Sequence, residues 1–231
     1  MAKKRIVVLS GAGISAESGI KTFRDSGGLW EEYDIMEVAS LEGWHKNMSL
    51  VNEFYNQRRK QLQEVKPNAG HYALVKLEEK YDVQIITQNV DDLHEQAGSK
   101  NVLHLHGELK KVRSSYDEDY VVELEGWELK IGDKCPKGHQ LRPHIVWFGE
   151  PVPMIYDAAQ ITATADVLLI IGTSLNVYPA ASLVGYVKPG TPVYLIDPGE
   201  LSVANIPNLT FVCEKGSVGV PKIVNKLLKE V

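Results

Sequence analysis

The chain has 231 residues, of which 44% are hydrophobic and 24% charged, a balance typical of one large globular domain and not of a disordered or fibrous chain. Its 25 lysines and arginines against 30 aspartates and glutamates leave a net charge of -5, which argues against a surface for nucleic acid. Two cysteines cannot build a disulfide framework, and no apolar run is long enough to span a membrane. We therefore expect a cytoplasmic protein that binds neither nucleic acid nor membranes.

Short apolar segments rich in β-branched residues recur along the chain and predict strands. They are residues 6–10, 83–87, 101–106, 167–171, 192–196 and 209–213. Segments with helical periodicity lie between several of them, notably 71–80 and 221–230. This alternation predicts an α/β fold with a Rossmann-like, doubly wound parallel sheet that is covered on both faces.

Two intervals interrupt the alternation. Residues 31–66 have the apolar spacing of helices, whereas residues 107–145 are polar, acidic and weakly patterned. We predict that residues 1–231 form a single domain in which these two insertions build a smaller lobe.

A glycine-rich turn follows the first predicted strand directly. Gly11, Gly13 and Ala16 spell G-x-G-x-x-A, which lets the backbone approach a pyrophosphate near a helix N-terminus. An ordinary strand-to-helix turn also produces such matches. The second strand and acidic residue that a standard dinucleotide fold places about twenty residues on are missing. Instead, residues 19–25 are polar and aromatic, as in a loop that folds over a ligand.

Polar side chains follow two further predicted strands. Gln88, Asn89 and Asp91 come directly after the second strand, at the sheet edge where ligand loops gather. His104 and His106 alternate with leucines on the third, so both imidazoles project to one face. Paired histidines of this kind are either a catalytic base with its neighbour or hydrogen-bonded structural residues.

Asp197 ends the fifth predicted strand in LIDPG. A carboxylate there can bond the adenosine ribose of NAD and repel the 2'-phosphate of NADP. An Asp-Pro turn explains it equally well.

Five motifs in this order resemble the sirtuins. They are GAGISAESGIKTFRDSGGLW from Gly11, TQNVDDLHEQAG from Thr87, LHLHGEL from Leu103, VWFGE from Val146 and GTS from Gly172. They span nearly the whole chain, which is similar to the bacterial deacylases of the class III branch. The resemblance implies an NAD-dependent protein-lysine deacylase that acts on acyl-lysine proteins or peptides and yields nicotinamide and O-acyl-ADP-ribose.

The resemblance also assigns roles to single residues. His106 would be the catalytic base, Asn89 and Asp91 would line the nicotinamide pocket, and Phe23 would shield the reaction intermediate. Two positions depart from the family, which usually has Asn at Asp197 and a small alanine at Val218. The implied NAD-binding residues are Gly11, Ala12, Gly13, Ile14, Ala16, Thr22, Phe23, Arg24, Trp30, Gln88, Asn89, Val90, Asp91, His106, Gly172, Thr173, Ser174, Asp197, Pro198, Gly199 and Val218.

One predicted helix carries an arginine within an apolar stripe, because Tyr55 and Arg58 share a face with neighbouring apolar residues. Taken alone, the arginine is best explained as reaching out to solvent. Class III sirtuins, however, carry a Tyr-x-x-Arg pair that receives the carboxylate of succinyl- or malonyl-lysine, and Tyr55 with Arg58 matches it. Ala39 would leave room for the longer acyl chain. Arg59 is the weaker candidate, since it lies about 100° around the helix.

The VWFGE motif is the expected peptide-binding segment. By the resemblance, Val146, Phe148, Gly149 and Glu150 would pair with the substrate backbone as an added strand. An ordinary strand with a buried aromatic residue is the alternative.

The family's structural zinc site is not matched. Tetrahedral zinc needs four ligands, but Cys135 has Gly138 in place of its partner and His139 could add only one more ligand. We predict no metal and a lobe held by its own packing. An NAD-dependent ADP-ribosyltransferase, an NAD glycohydrolase and a non-catalytic NAD-binding protein remain as alternatives, and analogy suggests a monomer.

Overall fold

The computed structural model of the protein describes residues 3–20, 33–199 and 206–230. The strands in these ranges are β1 (Arg5–Ser10), β2 (Asp82–Thr87), β3 (Val102–His104), β4 (Gly107–Ser114), β5 (Val121–Glu123), β6 (Leu141–Ile145), β7 (Val167–Ile171), β8 (Val193–Ile196) and β9 (Leu209–Val212). The α-helices are α1 (Ile35–Val38), α2 (Leu41–Lys46), α3 (Met48–Leu62), α4 (Ala69–Leu77), α5 (Leu93–Ala97), α6 (Ile155–Ala163) and α7 (Gly216–Leu228). No helix within these ranges has the length and apolar character needed to cross a membrane.

A six-stranded sheet forms the main body, in the order β3-β2-β1-β7-β8-β9, and every neighbouring pair is parallel. Alternate residues of its central strands enter two separate cores, because successive side chains point to opposite faces. Ile6 and Leu169 pack on the face covered by α4 and α7, whereas Val7 and Leu168 pack on the face covered by α6. The predicted α/β class with a parallel sheet is confirmed.

The third strand is shorter than predicted, since it ends at His104 and not at His106. Leu105 N–H still donates to the Thr87 carbonyl, at 2.9 Å, but the chain then turns into β4 at Gly107. Gly107 has φ +81°, and a Cβ there would lie 2.0 Å from the His144 carbonyl oxygen. Only glycine fits this crossing, which fixes the position of the preceding histidine.

Two helices begin earlier than predicted. The helix predicted for residues 71–80 is α4, which begins at Ala69 after an Asn68 cap. The helix predicted for 221–230 is α7, which begins at Gly216 and contains Pro221 in its second turn. Proline so near the N-terminus removes one intrahelical bond, and the buried face that includes Val220 and Ile223 outweighs this loss.

The second insertion contains a sheet that the sequence pattern did not predict. Its strands are antiparallel in the order β5-β4-β6. Half of the residues of β4 are buried and the alternation is broken between Leu109 and Val112, so these short strands give only a weak signal in the sequence. Helix α3 of the first insertion is hydrogen-bonded to the segment between β5 and β6. The Asn56 amide pairs with the Leu129 backbone, at 3.0 and 2.9 Å, and Arg59 Nε donates to the Trp127 carbonyl at 2.8 Å.

Candidate active site

The loops after β1 and β7 meet at the centre of the sheet. The N–H groups of Gly11 and Gly13 donate to the carbonyls of Ile171 and Gly172, both at 2.9 Å. A Cβ at Gly13 would lie 2.6 Å from Gly172 Cα, so the two loops can come this close only because both positions are glycine. The chain connections diverge between β1 and β7, and this is where open parallel sheets bind dinucleotides.

Polar groups lie on both sides of this crevice. Gln88 Nε2 donates to Thr173 Oγ1 at 3.1 Å, which joins the loops after β2 and β7. Asp197 is 2% exposed at the end of β8 and accepts the Gly199 N–H at 2.9 Å. The start of α7 lies beside the first loop, since a Cβ at Gly216 would be 3.3 Å from Ile14 Cα. Close-packed glycine loops, side-chain amides and an accepting carboxylate fit an extended dinucleotide such as NAD.

Asn89 and Asp91 are part of the loop after β2, and both side chains are buried. Asn89 Nδ2 donates to Ser15 Oγ at 3.2 Å, and the Asp91 carboxylate is also bonded to that hydroxyl and to the Leu93 N–H. Burial raises the pKa of Asp91 to about 6, although these hydrogen bonds lower it. Ser15 was not among the predicted site residues, yet it lies inside the GAGIS motif and joins both members of the expected nicotinamide pocket.

A second buried network supports the glycine loop and was also missed. His94 Nε2 lies 3.0 Å from Ser10 Oγ at the start of the loop, and Asn68 Nδ2 donates to the Ile14 carbonyl at 2.7 Å at its end. The His71 ring packs against His94. Burial lowers the pKa of His71 to about 4 and that of His94 well below its usual value, so both rings are neutral at physiological pH.

His104 and His106 both direct Nδ1 at the loop after β2. Nδ1 of His106 lies 3.0 Å from the Gln88 carbonyl, which can only accept, so Nδ1 carries the hydrogen and Nε2 of the neutral ring carries the lone pair. Burial lowers the pKa of His106, and this effect exceeds the opposite effect of the hydrogen bond to the Gln88 carbonyl. For His104 burial acts in the same direction, but the Glu95 carboxylate, 2.8 Å from Nε2, outweighs it and the pKa is raised. Burial therefore favours the neutral ring of His106, whose Nε2 can accept a proton, whereas the Glu95 carboxylate favours the protonated ring of His104.

Tyr55 and Ala39 lie together in a buried apolar cluster of the lobe, and Tyr55 accepts a hydrogen bond from Trp147 Nε1 at 3.0 Å. Burial raises the pKa of Tyr55 to about 12, so its hydroxyl stays protonated. The Arg58 guanidinium lies 5.5 Å from the centre of the Phe54 ring. Burial lowers the pKa of Arg58, against the influence of the neighbouring Tyr55 and the Asp91 carboxylate.

Arg59 is directed elsewhere. It is 3% exposed, and besides its bond to Trp127 its guanidinium bonds Asn56 Oδ1 at 2.5 Å. These contacts hold Arg59 against the segment between β5 and β6 and not beside Tyr55.

The VWFGE segment follows β6 and is bonded to two distant parts of the chain. Val146 N–H donates to the His106 carbonyl and Phe148 N–H to the Ala39 carbonyl, both at 2.9 Å. The Phe148 side chain is 45% exposed and Gly149 is exposed, as a peptide-binding edge requires. Glu150 differs, because its carboxylate accepts from Arg142 at 2.7 Å, Arg113 at 3.1 Å and Trp147 N–H at 2.8 Å.

Glu150 is therefore bonded within the protein, and these bonds hold the segment in place.

Four of the expected site residues, Thr22, Phe23, Arg24 and Trp30, lie outside the described residues. Within the described ranges, no cluster of three or more histidine, cysteine or acidic side chains could hold a metal ion.

Known proteins are similar to this chain in sequence and in fold. The sequence model of the Sir2 family matches residues 11–179. A Bacteroides thetaiotaomicron protein named NAD-dependent protein deacylase is 53% identical over 230 residues, covering 97% of this chain and 98% of that protein. A solved Sir2 homologue in complex with NAD is 39% identical with a TM-score of 0.89, covering 99% of this chain and 91% of that one. A Sir2 homologue variant in complex with 2'-O-acetyl ADP-ribose is 38% identical with a TM-score of 0.88, covering 99% and 93%.

Proposed function

This chain belongs to the Sir2 family and is an NAD-dependent protein deacylase, and we propose that it removes succinyl and malonyl groups from lysine as well as acetyl groups. The observation that carries the proposal is the position of Tyr55 and Arg58, which lie one turn apart on α3 and influence each other's charge, with Tyr55 inside a buried, largely apolar cluster. A guanidinium and a phenol donate to a carboxylate, which would be costly to bury without such partners. We further propose that it acts as a cytoplasmic monomer without nucleic-acid or membrane partners.

The described residues divide the work of the reaction. NAD, when bound, supplies the anomeric carbon that accepts the acyl oxygen and the nicotinamide that leaves. His106 Nε2 takes a proton from a ribose hydroxyl, since its ring is neutral and Nδ1 is held by Gln88. Asn89 and Asp91, held by Ser15, bind on the nicotinamide side. Ala39 and Phe148 bring the peptide segment to the acyl pocket, because their backbones are bonded to each other.

The test compares succinyl-lysine and acetyl-lysine peptides of one sequence with wild type and Arg58→Met. Loss of the guanidinium should lower kcat/KM for the succinyl peptide about 10- to 100-fold more than for the acetyl peptide, as expected for a charged hydrogen-bonded pair of roughly 1.5–3 kcal/mol. Deacylated peptide and O-acyl-ADP-ribose are followed by mass spectrometry.

Lys60→Met is the matched control, because Lys60 is an exposed cation on the same helix and its loss should leave the ratio of the two rates unchanged. His106→Ala should abolish turnover of both peptides. Equal losses on both substrates in Arg58→Met would reject the acyl pocket. Cleavage of NAD by wild type without deacylation of either peptide would favour the glycohydrolase or transferase alternative.

A further inference from the structure

Trp147 contacts the acyl pocket from the side of the peptide-binding segment. Its ring is 2% exposed, and its indole Nε1 donates to the Tyr55 hydroxyl oxygen at 3.0 Å. The two residues are 92 positions apart in the chain, so this contact exists only because α3 and the segment after β6 pack together. It is the indole's single hydrogen bond, since Nε1–H is a donor only.

This bond determines where the Tyr55 hydrogen points. An oxygen that accepts the indole N–H cannot direct its own hydrogen along the same line, so that hydrogen must point elsewhere. In the part of the chain that the structure describes, Tyr55 Oη donates to no protein acceptor. Burial keeps the hydroxyl protonated, with a pKa of about 12. The Tyr55 hydroxyl is therefore an oriented donor that has no acceptor among the described residues, so a substrate group can take this place.

The Trp147 ring is itself fixed from two directions. The Arg142 guanidinium carbon lies 3.5 Å from the ring centre, and Glu150 holds that guanidinium through bonds at 2.7 and 3.0 Å. The Trp147 backbone N–H donates to the same Glu150 carboxylate at 2.8 Å. Backbone and ring are thus tied to one ion pair, and the indole N–H has little freedom to turn away from Tyr55.

We propose that Trp147 is a positioning residue for acyl selectivity, which aims the Tyr55 hydroxyl at the distal carboxylate of a dicarboxylic acyl group on lysine. The inference rests on the proposed function, since it needs a substrate that carries this carboxylate. It adds that selectivity requires a third residue, outside the helix that carries Tyr55 and Arg58. An acetyl group has no second carboxylate, so its recognition does not depend on the direction of the hydroxyl.

The experiment is a double-mutant cycle of wild type, Trp147→Phe, Tyr55→Phe and the double variant. Trp147→Phe removes the indole N–H and keeps an aromatic ring. It should raise the ratio of the KM for a succinyl-lysine peptide to that for the matched acetyl-lysine peptide 3- to 10-fold, as expected for one neutral hydrogen bond. In the Tyr55→Phe background the same substitution should change this ratio less than twofold, because the hydroxyl it orients is gone.

A smaller ring can also loosen the core, so a second replacement keeps the test decisive. Benzothienylalanine at position 147 retains the bicyclic ring and places sulfur where the N–H was, and it should reproduce the Trp147→Phe ratio. If either replacement shifts the ratio as much in the Tyr55→Phe background as in wild type, or leaves it unchanged in wild type, the positioning role is wrong while the proposed function stands. If wild type does not remove succinyl groups, the proposed function and this inference both fail.

Discussion

His106 combines a fixed tautomer with a lowered pKa. Its Nδ1 hydrogen is held by the Gln88 carbonyl, and burial disfavours the charged ring. The sequence indicated this residue through its place before Gly107, but not its protonation state, because the Gln88 carbonyl belongs to another strand end. As the proposed base, His106 would act while neutral, so the pH dependence of the reaction tests its role.

We expect kcat/KM to fall on the acid side with an apparent pKa below 6.5. As the pH falls through the lowered pKa of His106, the imidazole takes a proton and can no longer accept one. The measurement is a pH profile of deacetylation between pH 5 and about 9.

Asp91 titrates in the same region, with a pKa of about 6, and Asp91→Asn separates the two groups. If kcat/KM still falls at low pH in Asp91→Asn, the fall is assigned to His106. Disappearance of this fall in that variant would assign it to Asp91 and contradict the expectation for the base.

Other single residues could not be found from sequence. Ser10 pairs with His94 across 84 positions, and Trp147 reaches Tyr55 across 92. Such contacts leave no local spacing to recognise. Site residues that lie in one motif were easier to predict, because a loop at the end of a strand places its side chains at one edge of the sheet.

At the scale of elements, the central parallel strands β1, β7 and β8 were predictable because they are buried on both faces and appear as short apolar runs. The small sheet was not, because only half of the residues of β4 are buried and their alternation is broken. The pairing of the loops after β1 and β7 was also invisible. The sequence predicted that these glycines let the backbone approach a pyrophosphate. In the structure they allow the two loop backbones to lie in direct contact.

This contact makes Gly13→Ala a test of loop spacing. The new Cβ would lie 2.6 Å from Gly172 Cα and 2.9 Å from the Gly172 oxygen, so the loops must separate. We expect a loss of stability of about 1–3 kcal/mol from overpacking and a several-fold rise in the KM for NAD.

Thermal unfolding and NAD titration measure the two effects. Gly185→Ala is the matched control, since its Cβ meets nothing within 4 Å and its φ is not positive. A KM for NAD that stays at the wild-type value in Gly13→Ala would show that this spacing does not shape the cofactor site.

At the scale of the whole molecule, we expect the lobe to be stable without a zinc ion, since no group of three or more potential ligands occurs among the described residues. Cys135 is buried but has no second cysteine nearby in sequence, and the bonds from Asn56 and Arg59 tie α3 to the segment that follows β5. We expect the purified protein to contain no stoichiometric zinc and EDTA to leave its Tm and activity unchanged. Elemental analysis and thermal unfolding with and without EDTA decide this. One zinc per chain, with a lower Tm after chelation, would contradict the expectation.

The bonds between Asn56 and Leu129 span 73 positions of the chain. Between them run β2, α4, α5 and β3, so the two halves of the lobe can meet only after part of the parallel sheet has closed. Contacts between distant residues form slowly, because the loop between them must be ordered first. We therefore expect refolding to complete the lobe late. Because Tyr55 and Arg58 lie on the helix that this late step positions, a refolding chain should regain its discrimination between acyl groups last.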